Sequence, residues 1–184
     1  MTQVHQRDVV DVLLAQHEEI KALFSRVATA QGDRKRSEFY DLVRLLAVHE
    51  SAEEQLVHPA ARKAIGEGGQ RVVAERLHEE AEAKRMLSDL YDLGVDHPEF
   101  HERLARCAQH VVAHATNEER EEFSQLRSNV GPEQLRRMAA VFEAAERAAP
   151  TRPHPSAGES ATANIVLGPP LALFDKARDA LRRS

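Results

Sequence analysis

The sequence predicts an all-α fold, an up-down-up-down antiparallel four-helix bundle with an additional C-terminal helix and an irregular tail. Three observations carry this expectation. Ala, Leu, Glu and Arg dominate the 184 residues, aromatic residues make up 4% and Trp is absent, which is a helix-favouring mixture. Four long segments repeat their apolar residues with the helical period. Short breaks containing Gly, Pro or Asp separate them, and short connections make successive helices antiparallel neighbours.

The first segment covers about 8–30, with Val9, Leu13, His17, Ile20, Phe24 and Val27 on one stripe, and "QGD" at 31–33 ends it. The second covers about 35–65 and stops at "GEGG"; Leu42, Leu46, His49, Glu53, Leu56 and Ala60 form its stripe. The third covers about 70–93 with a less tidy stripe of His78, Glu82, Met86, Leu90 and Leu93. "GVDHPEF" then turns the chain, and Pro98 suits the first turn of a fourth helix at about 98–127. Leu104, Cys107, Val111, His114 and Glu118 share the stripe of that helix. A fifth helical stretch follows at about 132–148. Residues 150–170 are rich in Pro, Ser, Ala and Gly and read as irregular, and the chain closes in a short amphipathic helix that Leu171, Phe174 and Leu181 would dock onto the bundle. The expected division is a bundle domain over 1–148 and the tail over 149–184.

Charge and length narrow the function. Hydrophobic residues make up 42%, charged residues 30%, and the formal net charge is -5, so no basic face for nucleic acid is expected. No apolar run approaches the roughly 20 residues that span a bilayer, and "MTQVHQRDVVDV" lacks the pattern of a signal peptide. The single cysteine, Cys107, excludes an internal disulfide framework and a thiolate cluster. The expectation is a cytoplasmic protein, monomer or weak dimer, without nucleic-acid or membrane partners.

The stripes carry the functional signal. His17, His49, His78, and His110 with His114 lie on or near buried faces of the four helices, where leucines belong. Glu53, Glu82 and Glu118 each follow a His by one turn, and residues four apart differ by about 40° around a helix, so each pair shares a face. Counted from the turns at about 1.5 Å per residue, these groups fall in one layer to within about 6 Å. Burying carboxylates and imidazoles without partners costs several kcal/mol each. A pair of metal ions compensates them, and such ligands on facing helices are those of di-iron or di-manganese centres. Zinc fits less well, because the His-Glu-x-x-His pattern is absent and the ligand supply exceeds the four that a structural zinc needs.

The constellation resembles the hemerythrin-like family, the His-His-Glu cation-binding domain, over roughly 8–127. "DVVDVLLAQHEEIKALF" resembles its first helix, "LLAVHESAEEQLVHPAAR" its second and "HVVAHATNEEREEF" its fourth. The third departs from the pattern: where relatives often read "EEHEAK", this chain has Ala81 at the usual His position. His78 on the same helix, or His110 on its neighbour, would replace it, and His78 is favoured because it pairs with Glu82. The resemblance implies an oxo- or hydroxo-bridged centre of two iron ions, with His17, His49, Glu53, His78, His110, His114 and Glu118 as the metal set. It implies O2, hydrogen peroxide or NO as small ligands. Catalase-like removal of hydrogen peroxide in oxidative-stress defence is the leading expectation, with His58, His110 and Glu82 as proton shuttles. The alternative is O2 or NO binding or sensing, or iron binding, without turnover.

Overall fold

The computed structural model describes residues 7–148, and all regular structure among them is helical. The expected tail over 149–184 and its docking residues Leu171, Phe174 and Leu181 lie outside the described residues. Helix α1 spans Val9–Thr29 and starts in a capping box, in which the Asp11 amide donates to the Asp8 carboxylate (2.9 Å) and the Asp8 amide to Asp11 (3.1 Å). Helix α2 spans Gly32–Ala52 and starts earlier than expected, because Gly32 itself supplies the turn at φ +56°. A π-helical turn, Glu53–Val57, joins it to α3, His58–Ile65. Helix α4, Gly69–Leu93, follows; a Cβ at Gly69 would lie 2.4 Å from the Arg62 carbonyl oxygen, so only glycine allows this close approach. Helix α5, Phe100–Glu118, runs through a second π turn, Glu119–Phe123, into α6, Ser124–Asn129, and α7 spans Pro132–Ala148. Pro98 falls in the turn before α5 rather than in its first helical turn, since the Phe100 amide is used by the His97 carbonyl at 3.0 Å.

The two π turns change which residues face inward. The stripe of α2 holds as far as Glu53, but Leu56 and Ala60, expected next, are only partly buried, and Val57, His58 and Ala61 are buried instead. A π turn adds one residue to the turn and so advances every later side chain by one position. The same shift follows Glu118, after which Glu122, Phe123 and Leu126 turn inward. Pro59 sits just past the first π turn; it cannot donate to a carbonyl four residues back, and the His58 amide reaches Glu53 O instead. We call the continuous stretches α2–α3 and α5–α6 the second and fourth rods.

Helix α1 packs along α2, α5 and α7, while α4 packs along α3 and α5. The apolar core is split in two. One cluster gathers Val9, Leu13, Val57, Phe123, Leu126 and Phe142 at the α7 end; the other gathers Ile20, Phe24, Phe39, Leu42, Leu90 and Phe100 at the opposite end. Between them lies a layer of buried polar side chains: His17, His49, Glu53, His58, Glu80, His114, Glu118 and Glu122.

Candidate metal centre

Each rod delivers an imidazole and, four residues on, a carboxylate to this layer. His49 Nε2 lies 3.2 Å from Glu53 Oε1, and His114 Nε2 lies 3.4 Å from Glu118 Oε2. Helix α1 adds His17, whose Nε2 is 3.5 Å from the same Glu118 oxygen, and α4 adds Glu80. Two groups of four have candidate ligand atoms all within 4.8 Å of one another, His17, His49, Glu53 and Glu118, and Glu53, Glu80, His114 and Glu118; a smaller group of His58, Glu118 and Glu122 adjoins them. Glu53 and Glu118 belong to both groups, and both are fully buried.

The outer ring nitrogens are all occupied. His17 Nδ1 donates to Glu119 (2.8 Å), His49 Nδ1 to Gln16 Oε1 (2.9 Å) and His114 Nδ1 to Glu79 (2.9 Å). An Nδ1–H bonded outward leaves the Nε2 lone pair free on the inner side, the arrangement that orients histidines on metals. Both oxygens of Glu53, both of Glu118, Glu80 Oε2, His17 Nε2 and His114 Nε2 are buried without a hydrogen bond. So many orphaned acceptors in one layer would cost far more than a fold tolerates unless a cation joins them. The donor set therefore fits bound metal.

Burial pushes His49 well below the ordinary histidine value, with His17 adding to the shift, so the ring is a neutral donor. Burial likewise raises Glu53, reinforced by Glu118. For Glu118 burial acts upward too, but His114 and His17 outweigh it and hold the carboxyl down at about 2. Burial lowers His58, yet hydrogen bonds to Glu122 and Glu80 prevail and raise it to about 10. Burial raises Glu50 to about 8, against the pull of Lys84.

A tight cavity of about 10 Å³ touches His17, His49 and His114, with Leu46, Val111 and Ala115 on its apolar wall and Glu50 beside them. That is room for about one water-sized molecule. A larger cavity of about 310 Å³, lined by Tyr40 and Tyr91 among others, contains no residue of the two groups.

Of the seven metal residues expected from sequence, the structure brings together His17, His49, Glu53, His114 and Glu118. His78 is set apart: its side chain is 72% exposed and its imidazole meets only Glu82, 3.6 Å away and itself 43% exposed. His110 is half-buried and its Nε2 donates to the Glu79 carbonyl at 2.9 Å, outside both groups. The reason is the phase of α4. Its buried stripe is Val73, Arg76, Glu80, Ala83, Leu87 and Leu90, which turns His78 and Glu82 toward solvent. Glu80 occupies the place that His78 or His110 was expected to fill. Sequence reasoning passed over it because Arg76 and Glu80 look like a solvated face; the spacing of Val73, Ala83, Leu87 and Leu90 was the signal that could have found it.

The family model for the hemerythrin HHE cation-binding domain matches residues 8–126. An uncharacterized hemerythrin-like protein of Schizosaccharomyces pombe is 26% identical over 179 residues, covering 95% of this chain and 87% of that protein. A DNA nickase of Nostoc sp. is 29% identical over 140 residues, 76% of this chain; the matched region spans 39% of the nickase's length. No solved structure matches. No helix among the described residues is long and apolar enough to cross a membrane.

Proposed function

The chain belongs to the hemerythrin HHE cation-binding domain family, and we propose that it holds two iron ions side by side and uses them to remove hydrogen peroxide. The observation that carries this reading is the sharing of Glu53 and Glu118 between two buried ligand groups: two carboxylates common to both positions can bridge two ions. His17 and His49 would complete one position, and Glu80 and His114 the other. The up-down-up-down antiparallel order belongs to the same proposal. The pairings Arg26–Glu38, Gln16–His49, His58–Glu80 and Arg76–Glu121 support it, since partners on neighbouring helices run in opposite directions.

A bound pair of irons supplies storage for two electrons. Disproportionation then balances without an outside reductant: one peroxide takes two electrons and two protons to become two waters, and a second returns them as it is oxidised to O2. The chain's own residues prepare for this. Glu119, Gln16 and Glu79 lock the three histidines in orientation. Leu46, Val111 and Ala115 keep the cavity narrow and admit one small molecule at a time. Glu50 places a carboxyl on the cavity wall, where its oxygen can hold and release a proton. This role passes to Glu50 from His110 and Glu82, which stand outside the cavity. His58 is engaged by carboxylates on both ring nitrogens.

A second reading, reversible binding of O2 or NO without turnover, draws support from the mainly apolar wall of the cavity. The nicking activity named for the Nostoc relative gains no support from a chain whose net charge is -5. The test loads metal-free protein with ferrous iron under anaerobic conditions, counts the ions, and then offers peroxide, O2 and NO separately. Sustained O2 release from peroxide with about two irons per chain supports the enzyme. Stoichiometric O2 or NO binding without peroxide turnover selects the second reading, and failure to retain iron overturns both.

A further inference from the structure

The two ligand groups are chemically unequal. The first offers two imidazoles, His17 and His49, beside the shared glutamates; the second offers one, His114, with Glu80 as an additional carboxylate. The difference arises on the two helices without a π turn: α1 contributes the imidazole of His17 to the first group, and α4 contributes the carboxylate of Glu80 to the second. Glu80 is almost fully buried, and its oxygens are divided in their duties. One meets His58 Nε2, while Oε2 has no hydrogen bond and has the Lys84 ammonium 3.8 Å away. His58 is held from its other nitrogen by Glu122 at 2.9 Å. With both nitrogens so engaged, the ring acts as a strut that fixes Glu80 and leaves its second oxygen for a cation.

Imidazole suits iron, zinc and copper, whereas carboxylate oxygen suits harder ions such as manganese; raw affinities favour iron, so the choice rests on donor type. Resting on the two-ion reading above, we propose that the position formed by Glu53, Glu80, His114 and Glu118 is a hard-donor site selective for manganese relative to the position formed by His17, His49, Glu53 and Glu118, which favours iron. The centre then has one manganese-accepting and one iron-preferring position.

The experiment uses the full chain, freed of metal and offered ferrous iron and Mn²⁺ together at a series of ratios under anaerobic conditions. Bound metals are counted, and anomalous scattering from crystals at the iron and manganese edges assigns each position. The Mn-to-Fe ratio at the second position should exceed that at the first by about tenfold or more. In Glu80→His the two ratios should converge. In Glu80→Gln, which keeps the shape and a hydrogen-bonding partner for His58, manganese uptake at the second position should fall while iron at the first is retained. Melting curves confirm that each variant is folded, and either variant alone suffices. Equal ratios in the unmodified protein, or ratios unmoved in the folded variants, overturn the inference. If iron alone loads to about two per chain and the ratios are equal, only the asymmetry fails; if iron alone never reaches two, the two-ion reading fails with it.

Discussion

In the second rod His49 stands four residues before Glu53; in the fourth rod His114 stands four before Glu118, and each pair leads into a π turn. Five residues past each shared glutamate the rods part company, with His58 in one and Phe123 in the other. His58 joins Glu80 to Glu122, and Phe123 stacks on His17 at 5.5 Å with its ring tilted by 19°. Pro59 follows the first π turn but nothing like it follows the second, so the proline does not account for both. What the rods share is the imidazole–carboxylate pair. The same local device thus serves each position, and the residue carried inward by the widened turn sets its surroundings: polar bracing on one side, apolar packing on the other.

The largest effect should come from the shared carboxylates. Glu53→Ala and Glu118→Ala each remove a ligand from both groups, so metal content after dialysis should fall from about two ions per chain toward none, because a lost bridge weakens both positions. His17→Ala, touching one group, should keep about one. A Glu118→Ala protein that retained both ions would break the equivalence of the two rods.

Next comes the pair at which the rods differ. Phe123→Ala opens a cavity in the α7-end cluster and should cost about 3–5 kcal/mol, with or without metal. His58→Ala leaves the buried Glu122 carboxylate unpaired and Glu80 with the Lys84 ammonium at 3.8 Å as its cation, and breaking such a buried pair costs about 3–5 kcal/mol. Its cost should be larger in metal-free than in metal-loaded protein, since a bound cation offsets the charge of Glu80. Urea denaturation of both forms reads the difference; identical behaviour of the two variants would mean that polar bracing and apolar packing are interchangeable here.

The outer hydrogen bonds sharpen the comparison further. Replacing Glu79 behind His114, or Glu119 behind His17, should weaken metal retention by about 10–100-fold at the position concerned, measured by competition with a chelator. Glu119→Ala should affect the first position and Glu79→Ala the second.

The smallest effect belongs to α4's outward face. His78→Ala and Glu82→Ala should leave metal content unchanged and stability within about 0.5 kcal/mol, because both side chains are substantially exposed. Loss of metal on His78→Ala would restore the ligand assignment that the sequence favours.

By itself the sequence determined the helices, nearly all their limits, and five of the residues in the buried layer. Period and breaks encode helices locally, and His17, His49, Glu53, His114 and Glu118 lie on stripes that run unbroken up to the site. Only the tertiary structure decided the rest. Glu80 and Arg76 on α4 are marked for burial only by the spacing of Val73, Ala83, Leu87 and Leu90 around them; their charge is compensated inside because Arg76 meets Glu79 and Glu121 and Glu80 meets His58, partners that mostly lie on other helices. His58 lies just past one π turn, and Glu122 and Phe123 lie within the other, where one added residue moves the inward face and a period of 3.6 no longer predicts it. A helix's pattern is written in neighbouring residues, but the phase of a kinked rod and the compensation of a buried charge are set by what packs against it.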